Sequence, residues 1–103
     1  MTHNKYILND KGVPVVENDL ETWGRWLENC KSRIVKQEMI GKSKVSTVFL
    51  ALDHNWSPSG PSVLWETMVF GGKLEGKMDR CSGSREQAEA MHQRMVKRVK
   101  KAK

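Results

Sequence analysis

KVSTVFLALDHNW, residues 44–56, passes from a dense apolar run straight into Asp53, His54, Asn55 and Trp56. Val45–Leu52 is rich in β-branched and aromatic residues and reads as a strand. Residues 54–62 hold two prolines, a glycine and three serines, the composition of a loop. Val63–Phe70 reads as the next strand, closed by Gly71-Gly72. The two runs form a hairpin. Centring its loop near Ser57–Pro58 pairs Leu50 with Trp65, Leu52 with Val63 and Val48 with Thr67, and this face is assigned to the helix-covered core. The other face then carries Thr47, Phe49, Ala51, Leu64, Glu66, Met68 and Phe70, also mostly apolar. A one-residue slip exchanges the two faces.

Working outward, residues 33–40 alternate weakly and predict a strand, with a turn at Gly41-Lys42-Ser43. Lys77–Cys81 predicts a short edge strand. Residues 5–16 read as a small hairpin about Asn9-Asp10-Lys11-Gly12, confined to an edge because Pro14 has no amide to donate. Residues 18–31 carry helical spacing: Leu20, Trp23, Leu27 and Cys30 form a stripe that Trp26 widens. Asn18 is placed to cap it, with Glu21 three residues on. The two tryptophans are expected in packing rather than in base stacking. Ser84-Arg85-Glu86-Gln87 opens the last helix as a capping box, and Ala88, Met91, Met95, Val99 and Ala102 mark its apolar stripe.

These elements predict an α+β sandwich: a three- to four-stranded antiparallel sheet packed with two α-helices, preceded by an N-terminal hairpin. The 103 residues suit a single domain, 1–103, with a basic helix end at 94–103. Two helices cannot cover both faces of such a sheet. The second face is therefore expected to be buried by a second copy of the chain, with a partner protein or small ligand as the other option. The expected binding residues are Thr47, Phe49, Glu66 and Met68 on that face, and Asp53, His54 and Trp56 beside it. Glu66, among apolar neighbours, must be hydrogen-bonded, paired or protonated; Lys36 and Arg33 are the expected ion-pair partners.

No apolar run reaches the roughly 20 residues of a membrane span, and MTHNKYILND has no signal-peptide pattern, so a cytoplasmic protein is expected. The net charge of +6 lies wholly in the tail, because residues 1–93 hold 12 basic and 12 acidic residues. Arg94, Lys97, Arg98, Lys100 and Lys101 are therefore the candidate contacts for an alternative role in weak, sequence-independent nucleic-acid binding. Solubility and the helix dipole explain the same charges without a ligand.

No catalytic residue, metal site or cofactor is expected. Asp53-His54 lacks a nucleophile-elbow neighbour, and Asp, Asn and Ser are the residues that end strands and begin turns. Asp53, His54, Cys81 and His92 show no metal-ligand spacing. Gly71–Gly76 follows a strand but opens no helix and lacks a phosphate-loop ending.

In this order, DLETWGRWLE, KVSTVFLALDH, ETMVFGG and EAMHQRMVKRV resemble a group of small uncharacterised proteins encoded by bacteriophages and prophages. The resemblance runs from Leu20 to Val99 and is most specific over Val45–His54 and Glu66–Gly72. Members of that group commonly carry an aromatic residue where this chain has Cys81. The resemblance implies a phage accessory protein acting in a bacterial host, of the kind that binds host proteins or signals. It carries no functional residues across.

Overall fold

The computed structural model describes residues 4–30, 33–57 and 59–102. A two-stranded hairpin, β1 (Tyr6–Leu8) and β2 (Pro14–Val16), precedes helix α1 (Leu20–Asn29). A four-stranded antiparallel sheet follows in the order β3 (Ile34–Ile40), β4 (Ser43–Phe49), β5 (Trp65–Phe70), β6 (Met78–Cys81). Helix α2 (Arg85–Lys101) closes the chain. This is the expected α+β architecture, with the full four strands. Lys31, Pro58 and Lys103, which fall in the expected first helix, the expected loop centre and the basic tail, lie outside the described residues.

Local chemistry accounts for most of the element ends. The Asn9 side chain accepts from the amides of Lys11 and Val13, and Gly12 sits at φ +76°, which fixes the first hairpin. Ser84 caps α2 by accepting from the Gln87 amide, as its sequence predicts. The cap of α1 falls one residue later than expected. Asp19 accepts from the Thr22 amide, because the Asn18 side chain is engaged by the Lys5 amide and by Asn4. Leu20 is accordingly 66% exposed rather than part of the buried stripe. Trp23, Trp26 and Leu27 do pack inward.

The register of β4 on β5 differs from the expected one by a single residue. Phe49 faces Trp65, Val48 faces Glu66 and Thr47 faces Thr67. The physical reason lies just past the strand. Leu50 still donates its amide to Leu64, but Ala51 turns to φ +64° and ends the extended run at Phe49, three residues before the expected Leu52. The Ala51 carbonyl then accepts from the Tyr6 amide and from the Trp23 indole at 3.0 Å. The faces of β4 are thereby exchanged, while Trp65 and Thr67 of β5 stay on the expected core side and Glu66, Met68 and Phe70 on the other. Val45, Thr47, Phe49, Trp65, Thr67 and Val69 lie under α2, each at most 1% exposed. The even-numbered residues of the same strands face away.

The core has two parts. In the first, Phe49, Trp65, Ala51, Leu64 and Met91 receive Trp23, Trp26 and Leu27 from α1. Phe49 stacks at a tilt on Trp65, with ring centroids 5.0 Å apart, and meets the edge of Trp26 at 5.9 Å. In the second, Ile40, Val45, Val69, Met95, Val96 and Val99 pack at the other end of the sheet, with Leu74 added from a turn.

Candidate functional site

The face of the sheet away from α2 is built of rows that the pairing sets side by side. Ile34, Val48, Glu66 and Arg80 form one row; Gln37, Ser46, Met68 and Met78 the next; Met39, Lys44 and Phe70 the last. A bulge at Val35 sends that residue to the core and leaves Ile34 outside. The polar members satisfy one another. Arg80 Nε donates to Glu66 Oε2 at 2.9 Å, and Gln37 Nε2 donates to Ser46 Oγ at 2.9 Å. The partner of Glu66 is therefore Arg80 of β6, not Lys36 or Arg33, because the register places Arg80 directly across the strand pair. The apolar members have no such cover: Ile34, Met39, Phe70 and Met78 are between 44% and 66% exposed. Flexible, polarizable methionines around a ring adapt to differently shaped partners.

Of the expected binding residues, Glu66 and Met68 lie on this face. Thr47 and Phe49 do not; both are fully buried under α2, which follows from the one-residue difference in register. Asp53, His54 and Trp56 sit in the loop beyond the ends of β4 and β5. There Asp53 Oδ1 accepts from the amides of Asn55 and Val63, at 2.8 and 2.9 Å. His54 Nδ1 donates to the Leu52 carbonyl at 2.7 Å, and Asn55 Nδ2 donates to the carbonyls of Ser59 and Pro61. These side chains tie the two arms of the loop together. Trp56 stays 65% exposed, its ring centroid 6.0 Å from that of His54.

Sequence reasoning missed a buried polar chain beneath α2. Thr67 is hydrogen-bonded to Thr47, whose Oγ1 lies 2.7 Å from His92 Nδ1; His92 Nε2 lies 2.9 Å from Glu38 Oε1. Thr47, Thr67 and His92 are all fully buried. A carboxylate only accepts, so His92 Nε2 donates to Glu38, while Nδ1 shares a hydrogen bond with the Thr47 hydroxyl. The bond from His92, with Lys36 Nζ 3.3 Å away, holds the Glu38 carboxyl below the usual range despite some desolvation. Hydroxyl, imidazole and carboxylate in a row suggest acyl-transfer chemistry, but with both hydroxyls sealed inside the core no substrate carbonyl can approach them. The chain serves to satisfy a polar seam in the sandwich. Its only signal in the sequence was a histidine directly after Met91 on the buried stripe.

The tail cations Arg94, Lys97, Arg98, Lys100 and Lys101 lie exposed along α2. The fold brings the last turn of that helix beside the β3–β4 and β5–β6 turns, which carry Lys42, Lys73 and Lys77. Among residues 41–44, 71–77 and 97–102 the only carboxylate is Glu75. The neutral balance of residues 1–93 thus hides a strongly basic end. At Cys81, burial pushes the thiol pKa up, which disfavours the reactive thiolate.

Among the described residues no group of three or more His, Cys, Asp or Glu side chains is placed to hold a metal ion, and no helix is long and apolar enough to cross a membrane. Comparisons with protein-family models, with curated proteins and with solved structures yield no match.

Proposed function

We propose that this chain is a non-enzymatic binding module, a phage accessory protein in the cytoplasm of a bacterial host, that docks an apolar protein surface on its open sheet face. The first such surface is that of a second copy. The observation that carries the reading is the set Ile34, Met39, Phe70 and Met78, exposed around a Glu66–Arg80 pair whose charges are already matched. A face of this kind loses little on desolvation and gains from every apolar contact. It also suits a two-fold pairing, in which each apolar row meets its own copy. The phage setting rests on the resemblance of the four sequence segments alone.

Sedimentation equilibrium tests the reading. The native chain should run as a dimer at micromolar concentration, and the double variant Met39→Glu, Phe70→Glu should run at half that mass with unchanged circular dichroism. A native chain that stays monomeric and captures no host protein that the double variant loses would end the proposal.

A second reading, weak nucleic-acid binding, is supported by the gathering of tail and turn lysines at one end. It expects affinity that falls steeply with salt and shows no base preference. Truncation after Val96 should remove it; equal retardation of DNA and RNA by the truncated chain would dismiss it.

A further inference from the structure

The basic end also holds a cavity of about 360 Å³, within the range of small-molecule sites. Its apolar wall is the unfinished end of the second core cluster. Ile40, Leu74, Val99 and Ala102 line it with apolar surface, and Lys42 and Lys73 stand in the lining at the turns. The space exists for identifiable reasons. Helix α1 contributes its aromatic side chains to the first core cluster and none to this one. The two turns are pressed together at Gly71 and Gly72, which carry no side chains of their own. A Cβ on Gly71 would stand 2.5 Å from the Lys42 carbonyl oxygen, and one on Gly72 would stand 2.1 Å from Ser43 Oγ. Ser43 Oγ donates to the Gly71 carbonyl at 3.0 Å and locks the two turns together. Both glycines have positive φ, so this rim is specific to glycine on two counts.

We infer that this cavity binds a small amphipathic anion, an aliphatic chain seated on Ile40, Leu74 and Val99 with a carboxylate or phosphate head held by Lys42 and Lys73. Both halves of the ligand are required by what lines the site. A neutral hydrocarbon would leave the lysines unused, and a simple anion would leave the apolar floor wet. A nucleic-acid strand would meet the lysines but has no flexible chain to enter the cavity. The last carbonyls of α2 point to the same end and oppose an anion with about half a charge. Arg98, Lys100 and Lys101 in that last turn, added to the turn lysines, outweigh it. The inference is independent of docking on the open sheet face.

The test is a titration of the full chain with decanoate, decyl phosphate, decanol, acetate and inorganic phosphate, below micelle-forming concentrations. It is followed by calorimetry and by backbone amide NMR shifts. Decanoate or decyl phosphate should saturate with shifts centred on Gly41, Gly72 and Val99, and the stronger of the two identifies the head group. Decanol, acetate and inorganic phosphate should bind at least about tenfold more weakly. The double variant Lys42→Glu, Lys73→Glu should lose about tenfold in affinity for the charged amphiphile and keep its weak affinity for decanol. Ala102→Trp should fill the cavity and abolish both; Leu74→Asp, on an exposed turn, does the same if the first variant fails to fold. Decanol binding as tightly as decanoate, or saturation that survives Ala102→Trp and Leu74→Asp, would overturn the inference. So would an oligonucleotide producing the shifts when neither amphiphile does.

Discussion

The two faces of the sheet are cut from the same strands and treat their polar residues in opposite ways. On the covered face, Thr47 and Thr67 reach their partners through tertiary structure: a histidine from α2 and, beyond it, a carboxylate from β3. On the open face, Ser46 and Glu66 find theirs on adjacent strands, in Gln37 and Arg80. Polar groups bonded within the sheet leave that surface ready to be covered, whereas polar groups bonded across layers already hold a layer in place. Alternation alone does not distinguish the two cases, because both faces mix apolar and hydroxyl side chains.

The sharpest way to break this contrast is at its aromatic centre. Trp65→Ala removes a fully buried ring that stacks on Phe49 and donates to the Gly83 carbonyl, and should cost about 3–5 kcal/mol in denaturant unfolding. A loss below about 1 kcal/mol would mean that the first core cluster does not organise the sandwich. Next comes a paired comparison of neighbours on opposite faces. Thr47→Val leaves buried His92 Nδ1 without its hydrogen-bond partner and should cost about 1–3 kcal/mol, whereas Ser46→Val should stay within about 0.5 kcal/mol. Equal costs would erase the distinction between the faces.

Acid sharpens the same point. The Glu38 carboxyl is depressed in the folded chain by its bond from His92, so its contribution is complete above the ordinary glutamate value and is lost as pH falls through the folded one. Unfolding midpoints measured from neutral to acidic pH should therefore fall, and Glu38→Gln should flatten part of that fall. The remainder belongs in part to Asp19, whose carboxyl is held down by the Thr22 hydroxyl and amide. The smallest effect on stability, within about 0.5 kcal/mol, is expected for Phe70→Ser on the open face, although the same change should weaken self-association measured by light scattering.

Much of this was legible in the residues. The capping box at Ser84, the turn at Asn9–Gly12, the four strands and the inward tryptophans follow from chemistry that acts over three or four residues. What was not legible depends on distant or silent features. Ala51 takes a left-handed conformation that alanine does not advertise, and with β4 ending at Phe49 the register places Thr47 and Phe49 on the covered face. Arg80 could be matched to Glu66 only once β6 was in register. His92 meets partners 45 and 54 residues away in sequence, so its role had no local trace. The basic end was concealed by arithmetic, since cations gathered by folding cancel against distant acids when merely counted.

The Ala51 carbonyl joins three parts of the molecule. It receives both Tyr6 and Trp23, one from the hairpin and one from α1, and no residue of α1 is fully buried. Residues 4–30 are joined to the rest there, at the Lys5–Leu52 bridge, at the Tyr6–Ser62 hydroxyl pair, and by Leu8, Trp23, Trp26 and Leu27 in the first core cluster. That oxygen is a shared fastening: a change that shifts it disturbs the hairpin, the helix and the end of β4 together.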